Sequence, residues 1–153
     1  MSVLLSREAF AAVVRDVPLV SMDLIVEDEQ GLVLVGERRN APAQGFWFAP
    51  GGRIRKNETL AAAFARTTLD ELGVAFTLAQ AEWKGVYEHF YDDNFAEEPG
   101  FGTHYVVLAY RLRVTRSQLK LPEAQHAAYR WAVPAELAVD PAVHDNTQAY
   151  FRD

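Results

Sequence analysis

Residues 52–74 read G-R-I-R-K-N-E-T-L-A-A-A-F-A-R-T-T-L-D-E-L-G-V. The segment predicts a loop, then a helix from about Thr59 to Leu72. Asn57 or Glu58 is placed to serve the helix N-terminus, and Gly73 sits where a left-handed cap belongs. On a helix, positions three and four apart share a face. Thr67 and Glu71 therefore stand one above the other, with Asp70 beside them. Arg66 and Asp70, four apart, also fit an ordinary surface ion pair.

Working outward, Leu19 to Val26 and Leu32 to Val35 are apolar runs rich in β-branched residues. The turn signal Asp28-Glu29-Gln30-Gly31 between them predicts a hairpin. Upstream, Ser6 caps a short helix to Arg15, and Pro18 prevents its continuation. Downstream of that hairpin, Phe46-Trp47-Phe48 reads as a short strand and Pro50-Gly51-Gly52 as a break. Strands are expected at Trp83 to Phe90, Tyr105 to Val114 and Tyr129 to Val133. Loops are expected at Asp92 to Gly102 and at Leu121 to His126. Helical pieces follow at Pro134 to Leu137 and after Pro141. Interleaved strands and helices predict an α/β fold, a mixed sheet flanked by helices on both faces.

The 153 residues, half of them apolar, fit one domain spanning residues 1–153 with no repeat or linker. The absence of cysteine excludes a disulfide framework and thiolate metal sites, so any metal must be held by oxygen or histidine. A net charge of −6 argues against a nucleic-acid partner. No apolar run approaches the roughly 18 residues of a membrane span, and Arg7 and Glu8 interrupt the N-terminal apolar run. The expected location is the cytoplasm, with no membrane partner.

The order of Gly52, Glu58, Arg66, Glu71 and Gly73 resembles the Nudix signature, which implies a Nudix-type α/β/α sandwich. The usual signature carries glutamates at the positions of Thr67, Asp70 and Glu71, where they form a metal-binding cluster. Here only Glu71 keeps the full ligand. That departure resembles the GDP-mannose mannosyl hydrolase subfamily. The likeness extends to Val17-Pro18-Leu19-Val20-Ser21, Pro42-Ala43-Gln44-Gly45, His89 to Phe95, Thr103 to Leu108, Glu123 to His126 and Tyr129-Arg130-Trp131.

The resemblance implies hydrolysis of GDP-mannose, and of GDP-glucose, by water attack at the anomeric carbon with inversion. It implies His126 as the base. The Gly51 carbonyl, Glu71 and Gln125 are the implied ligands of Mg2+, with Mn2+ an alternative. Arg38 and Arg53 are implied at the diphosphate, and Asp23, His89 and Tyr105 near the sugar and leaving group. Phe10, with the backbone of Leu4 and Leu5, is implied at the nucleotide. The implied assembly is a homodimer.

Each residue also has a plain reading. His126 alone reads as an incidental surface histidine in a polar loop, Arg53 as a solvated loop arginine, and Phe10 as helix packing. His89 and His104 read as half-buried strand residues, and Asp70 and Glu71 as solvating a helix surface. Two competing functions remain: a conventional Nudix pyrophosphohydrolase cutting a P–O bond, and a silent nucleotide-binding module. His126 and Gln125 in the matching loop argue for turnover.

Overall fold

The computed structural model describes residues 4–123 and 126–152. Its centre is strand β1 (Leu19–Glu27), which runs parallel to β6 (Thr103–Arg113) from Leu19↔Tyr105 to Glu27↔Arg113. β1 also meets β2 (Val33–Arg38) and β4 (Gly51–Arg53), both antiparallel. The main path of the sheet is β3–β2–β1–β6–β5, where β3 is Trp47–Phe48 and β5 is Ala81–Tyr91. β7 (His126–Ala132) joins through β2. One parallel pair among antiparallel ones makes this the mixed sheet that the strand and helix pattern predicts.

Alternation along β1 divides two cores. Met22, Leu24 and Val26 pack with Phe64 and Leu72 of helix α2 (Leu60–Leu72). Ile25 points to the other face, among Val35, Ala109, Leu137 and Tyr150. Leu137 closes helix α3 (Pro134–Leu137), and Tyr150 follows helix α4 (Asp145–Gln148). Helix α1 (Arg7–Asp16) lies against β6. Fully burying a side chain such as Phe64 contributes about 1.5–3 kcal/mol, so these two apolar layers hold the sheet.

Local chemistry sets the ends of the elements. The Ser6 hydroxyl accepts from Ala9 N at 3.1 Å and caps α1. In the hairpin turn, the Asp28 carboxylate accepts from the backbone of Gln30 and Leu32, each at 2.9 Å, and from Arg116 Nε at 2.6 Å. The N-cap of α2 is Thr59 rather than Asn57 or Glu58, its hydroxyl accepting from Ala62 N. Gly73 ends that helix at φ 76°. A Cβ there would also lie 1.9 Å from the Lys120 carbonyl oxygen, so only glycine fits.

Two sequence expectations are corrected. Residues 50–52 are not a simple break, because Gly51 and Gly52 open β4, whose pairing Asp23↔Gly51 and Met22↔Gly52 is supplied by the distant β1. β7 begins at His126 rather than Tyr129, which moves that histidine from a polar loop onto a buried strand end, 7% exposed.

Glu58 has a different task from helix capping. Its carboxylate receives Arg66 Nε at 2.7 Å and Nη2 at 2.8 Å, while Arg66 Nη2 also donates to the Arg53 carbonyl at 2.8 Å. This clamp ties the loop from β4 to α2. The Arg66 hydrogen bonds hold the Glu58 carboxyl at about 2, against the opposing effect of burial. A depressed folded pKa gives stability that is complete above the ordinary value of 4.5 and is lost as pH falls toward 2. Glu58→Gln should therefore cost about 1–3 kcal/mol at neutral pH. Its thermal midpoint should also fall less steeply than the parent's between those pH values. Parallel curves for the two proteins across that window would contradict the clamp.

Candidate functional site

Where β1, β4, β5, β6 and β7 come together, a cleft of about 400 Å³ opens. Asp23, Arg38, Gly51, Arg53, Glu71, His89, Tyr105 and His126 all line it. Every residue expected to act in catalysis thus lies in one cavity, together with two of the three expected metal ligands. The third, Gln125, lies outside the described residues. The nucleotide-side residues are arranged differently. Leu4 is exposed and borders a neighbouring depression shared with Gly52, Arg53 and Thr67. Leu5 is exposed and is not among the residues lining the cleft. Phe10 stays behind the rim, its ring 4.8 Å from that of Phe95 and 4.7 Å from the Arg53 guanidinium. Arg53 is therefore held in strand β4 against an aromatic face, not free in a loop.

The floor of the cleft on the helix side is Glu71, a buried residue 4% exposed. Its Oε1 accepts from Gly51 N at 3.1 Å, whereas its buried Oε2 has no hydrogen-bond partner among the described residues. Burial pushes the carboxyl up to about 7, with the Gly51 amide pulling the other way. Thr67, one turn earlier, is also buried, and its hydroxyl oxygen likewise has no partner among the described residues. Asp70 does not join them. Its side chain is 48% exposed and meets Arg66 at 3.4 Å. The helix therefore turns one carboxylate inward and one outward. The surface-solvation reading holds for Asp70 and fails for Glu71.

His126 stands beside this carboxylate, with Nε2 3.9 Å from Glu71 Oε2. It fits there because the neighbouring strand β2 carries Gly36 beneath the ring, although the backbone partner of His126 is Arg38. A Cβ on Gly36 would lie 2.5 Å from His126 Nδ1. Burial, then the Arg38 charge, lowers the His126 pKa below 6.5, so the imidazole is neutral at pH 7. The expected base therefore lies close to the expected metal side rather than well apart from it.

A further part of the lining carries Asp23 and His89. Burial pushes the Asp23 carboxyl up to about 6, while the Tyr150 hydrogen bond and Arg38 oppose the rise. Burial lowers His89 to about 4. Tyr105, raised by burial, completes this part as a neutral phenol. His104 lies outside the cleft, stacked on Phe90 at 4.4 Å.

Sequence reasoning missed Tyr91, Phe95 and Tyr150. Phe95 belongs to a loop braced by the buried Asn94, whose amide donates to the carbonyls of Glu98 and Phe101 at 2.9 Å each. The Asp93-Asn94-Phe95 run was a visible signal for a built loop. Tyr150 had no local signal, because its contact with Asp23 spans 127 positions.

Among the described residues, no group of three His, Cys, Asp or Glu side chains is arranged to hold a metal ion. The chemistry of the remaining donors still suits a hard cation. Glu71 offers a buried oxygen, unpartnered among the described residues, beside the Gly51 backbone, and magnesium commonly takes its other oxygens from phosphate and water.

Comparison with known proteins agrees with this architecture. Over 137 residues the chain is 39% identical to the low-salt glycan biosynthesis protein Agl8 of Haloferax volcanii, covering 89% of this chain and 84% of that protein. Among solved structures, the MutT NUDIX hydrolase of Burkholderia pseudomallei aligns with a TM-score of 0.68 at 22% identity, covering 88% of this chain and 95% of that one. The NUDIX domain of Shewanella oneidensis NrtR, complexed with ADP ribose, aligns at 0.62 and 19% identity, covering 95% of each chain. At these identities the structures speak for the fold alone. The NUDIX domain model matches residues 17–152, and this chain belongs to the NUDIX family.

Proposed function

We propose that this Nudix hydrolase cleaves a nucleoside diphosphate sugar, GDP-mannose or GDP-glucose, at the bond between the anomeric carbon and the leaving diphosphate oxygen. The observation that carries the reading is the single inward carboxylate of α2, Glu71, with Thr67 one turn earlier and Asp70 turned to solvent. A set of acids able to organise several ions for attack at phosphorus is missing from the described residues. A cleft with a neutral histidine, two arginines and a separate Asp–His wall suits a sugar held against a departing diphosphate. The glycan biosynthesis name of the 39% identical relative supports a sugar-nucleotide substrate.

In this reading His126 accepts a proton from the attacking water. Its lowered pKa keeps the ring available across neutral pH. Arg38 and Arg53 bind the diphosphate oxygens, each able to present two donors. Asp23 and His89 hold the sugar, and Tyr105 donates toward the leaving group. Glu71, the Gly51 carbonyl and Gln125 would hold Mg2+, or Mn2+, which would supply positive charge to the leaving diphosphate. Leu4, Leu5 and Phe10 stand toward the nucleotide end, and a homodimer would bring a second N-terminal segment near that end.

One observation favours a second reading, a conventional pyrophosphohydrolase. His126 lies only 3.9 Å from Glu71, a separation that also suits activating water on the metal side. Hydrolysis in oxygen-18 water separates the two. Label is expected in the free sugar, and label in nucleoside monophosphate or sugar phosphate would establish attack at phosphorus instead.

The metal side can be tested by paired substitutions. Glu71→Gln should lose most magnesium-dependent activity, and Asp70→Asn should lose little because its side chain faces solvent. Equal losses in the two variants would contradict a single inward ligand.

His126→Gln should lower turnover by about 10² to 10⁴ while substrate binding changes little. The lowered pKa places the acidic limb of the parent's turnover profile below pH 6.5. That limb should be missing from the variant. Near-normal turnover, or an unchanged limb, would remove His126 as the base and make His89 the next candidate.

A further inference from the structure

We propose that Tyr150 is a positioning residue of the cleft, whose hydroxyl joins Asp23 to His89 and fixes the His89 imidazole with its proton on Nε2. The hydrogen-bond order rests on the geometry of the three side chains with Asp23 ionised and His89 neutral, independently of the substrate. Its effect on turnover rests on the reading of the cleft as a nucleotide-sugar site.

Tyr150 is 3% exposed and sits in the short 3-10 turn Ala149–Phe151. Its hydroxyl donates to Asp23 Oδ2 at 2.5 Å and lies 3.2 Å from His89 Nε2. A phenol has one proton to give, and an ionised carboxylate can only accept. The proton therefore goes to Asp23, and the phenolic oxygen is left as an acceptor toward His89. Nε2 must carry the hydrogen for that contact to be favourable. Burial keeps the His89 ring neutral, so Nδ1 remains an acceptor.

Asp23 lies on β1 and His89 on β5, and these strands are separated by β6 in the sheet. The bridge between the two side chains is supplied by the C-terminal segment. That segment is anchored independently of the bridge. Ala49 N donates to Thr147 Oγ1 at 3.2 Å, and Gln148 Nε2 donates to the carbonyls of Asp140 and Val143 at 2.7 and 3.0 Å. The Tyr150 ring meets Tyr87 edge-on at 4.7 Å. These anchors leave the hydroxyl little freedom. Asp23 and His89 line the cleft, whereas Tyr150 supports them from behind. A phenylalanine would fill the same ring space, so the hydroxyl is needed for order in the wall rather than for packing.

The test uses the full-length protein. Proton–nitrogen NMR of the histidine rings, with His89 assigned by His89→Gln, should show the His89 hydrogen on Nε2 as a resolved, slowly exchanging signal. In Tyr150→Phe that signal should move or exchange away, with the thermal midpoint little changed. On a nucleotide sugar, the same variant should lose about 10- to 100-fold in kcat with KM within about twofold, the pattern of a misplaced group. A wild-type ring protonated on Nδ1, or a signal unmoved in Tyr150→Phe, would overturn the hydrogen-bond order, and the wild-type measurement decides it even if the variant does not fold. Unaltered kcat in a folded variant would overturn the positioning role. If wild-type protein turns over no nucleotide sugar, the proposed function falls while the NMR result still decides the bridge.

Discussion

A carboxylate buried with one oxygen tied to a backbone amide and the other tied to nothing is costly unless something arrives to meet it. Among the described residues Glu71 is in that position, held by Gly51 N and facing His126. Much of the surrounding structure serves to keep it there. Leu72 and Phe64 lock its helix to the sheet, Gly73 ends the helix against the Lys120 carbonyl, and the Arg66–Glu58 clamp fixes the loop leading into it. Gly51 can reach the carboxylate because β4 is laid along β1 opposite Asp23. The same pairing puts the two cleft-lining carboxylates, Asp23 and Glu71, on either side of one strand of backbone.

The cleft is therefore electrostatically divided. On the helix side, a carboxyl raised to about 7 and a neutral histidine share a floor that suits a cation and a proton acceptor. Elsewhere in the lining, Asp23, His89 and Tyr105 offer donors and acceptors without a second inward acid from α2. Arg38 and Arg53 line the same cavity, and each stacks on a ring, Phe48 and Phe10 respectively. Stacking leaves the guanidinium edges available for phosphate oxygens while fixing their planes.

Much of this was legible in the residues. The hairpin around Asp28, the helix ending at Gly73 and the cap at Ser6 follow from local chemistry, and each formed where its turn or cap residues stand. The resemblance named eight residues that line one cleft. What was not legible depended on distant partners. Gly51 and Gly52 form a strand only because β1 supplies the hydrogen bonds. His126 is buried only because Gly36 makes room for its ring across β2 and β7. Thr67, Asp70 and Glu71 share a helix segment, yet the sheet beneath decides that Asp70 faces out. Tyr150 meets Asp23 across 127 positions, a contact that no local pattern announces.

The central claim is that water attacks the sugar carbon from the face opposite the departing diphosphate. The most direct measurement is the anomeric form of the first sugar released, followed by proton NMR before mutarotation sets in. From GDP-α-D-mannose, β-mannose should appear first and the α form should grow in later. Initial release of α-mannose would contradict inversion, and the appearance of mannose 1-phosphate in place of free sugar would place the attack on phosphorus.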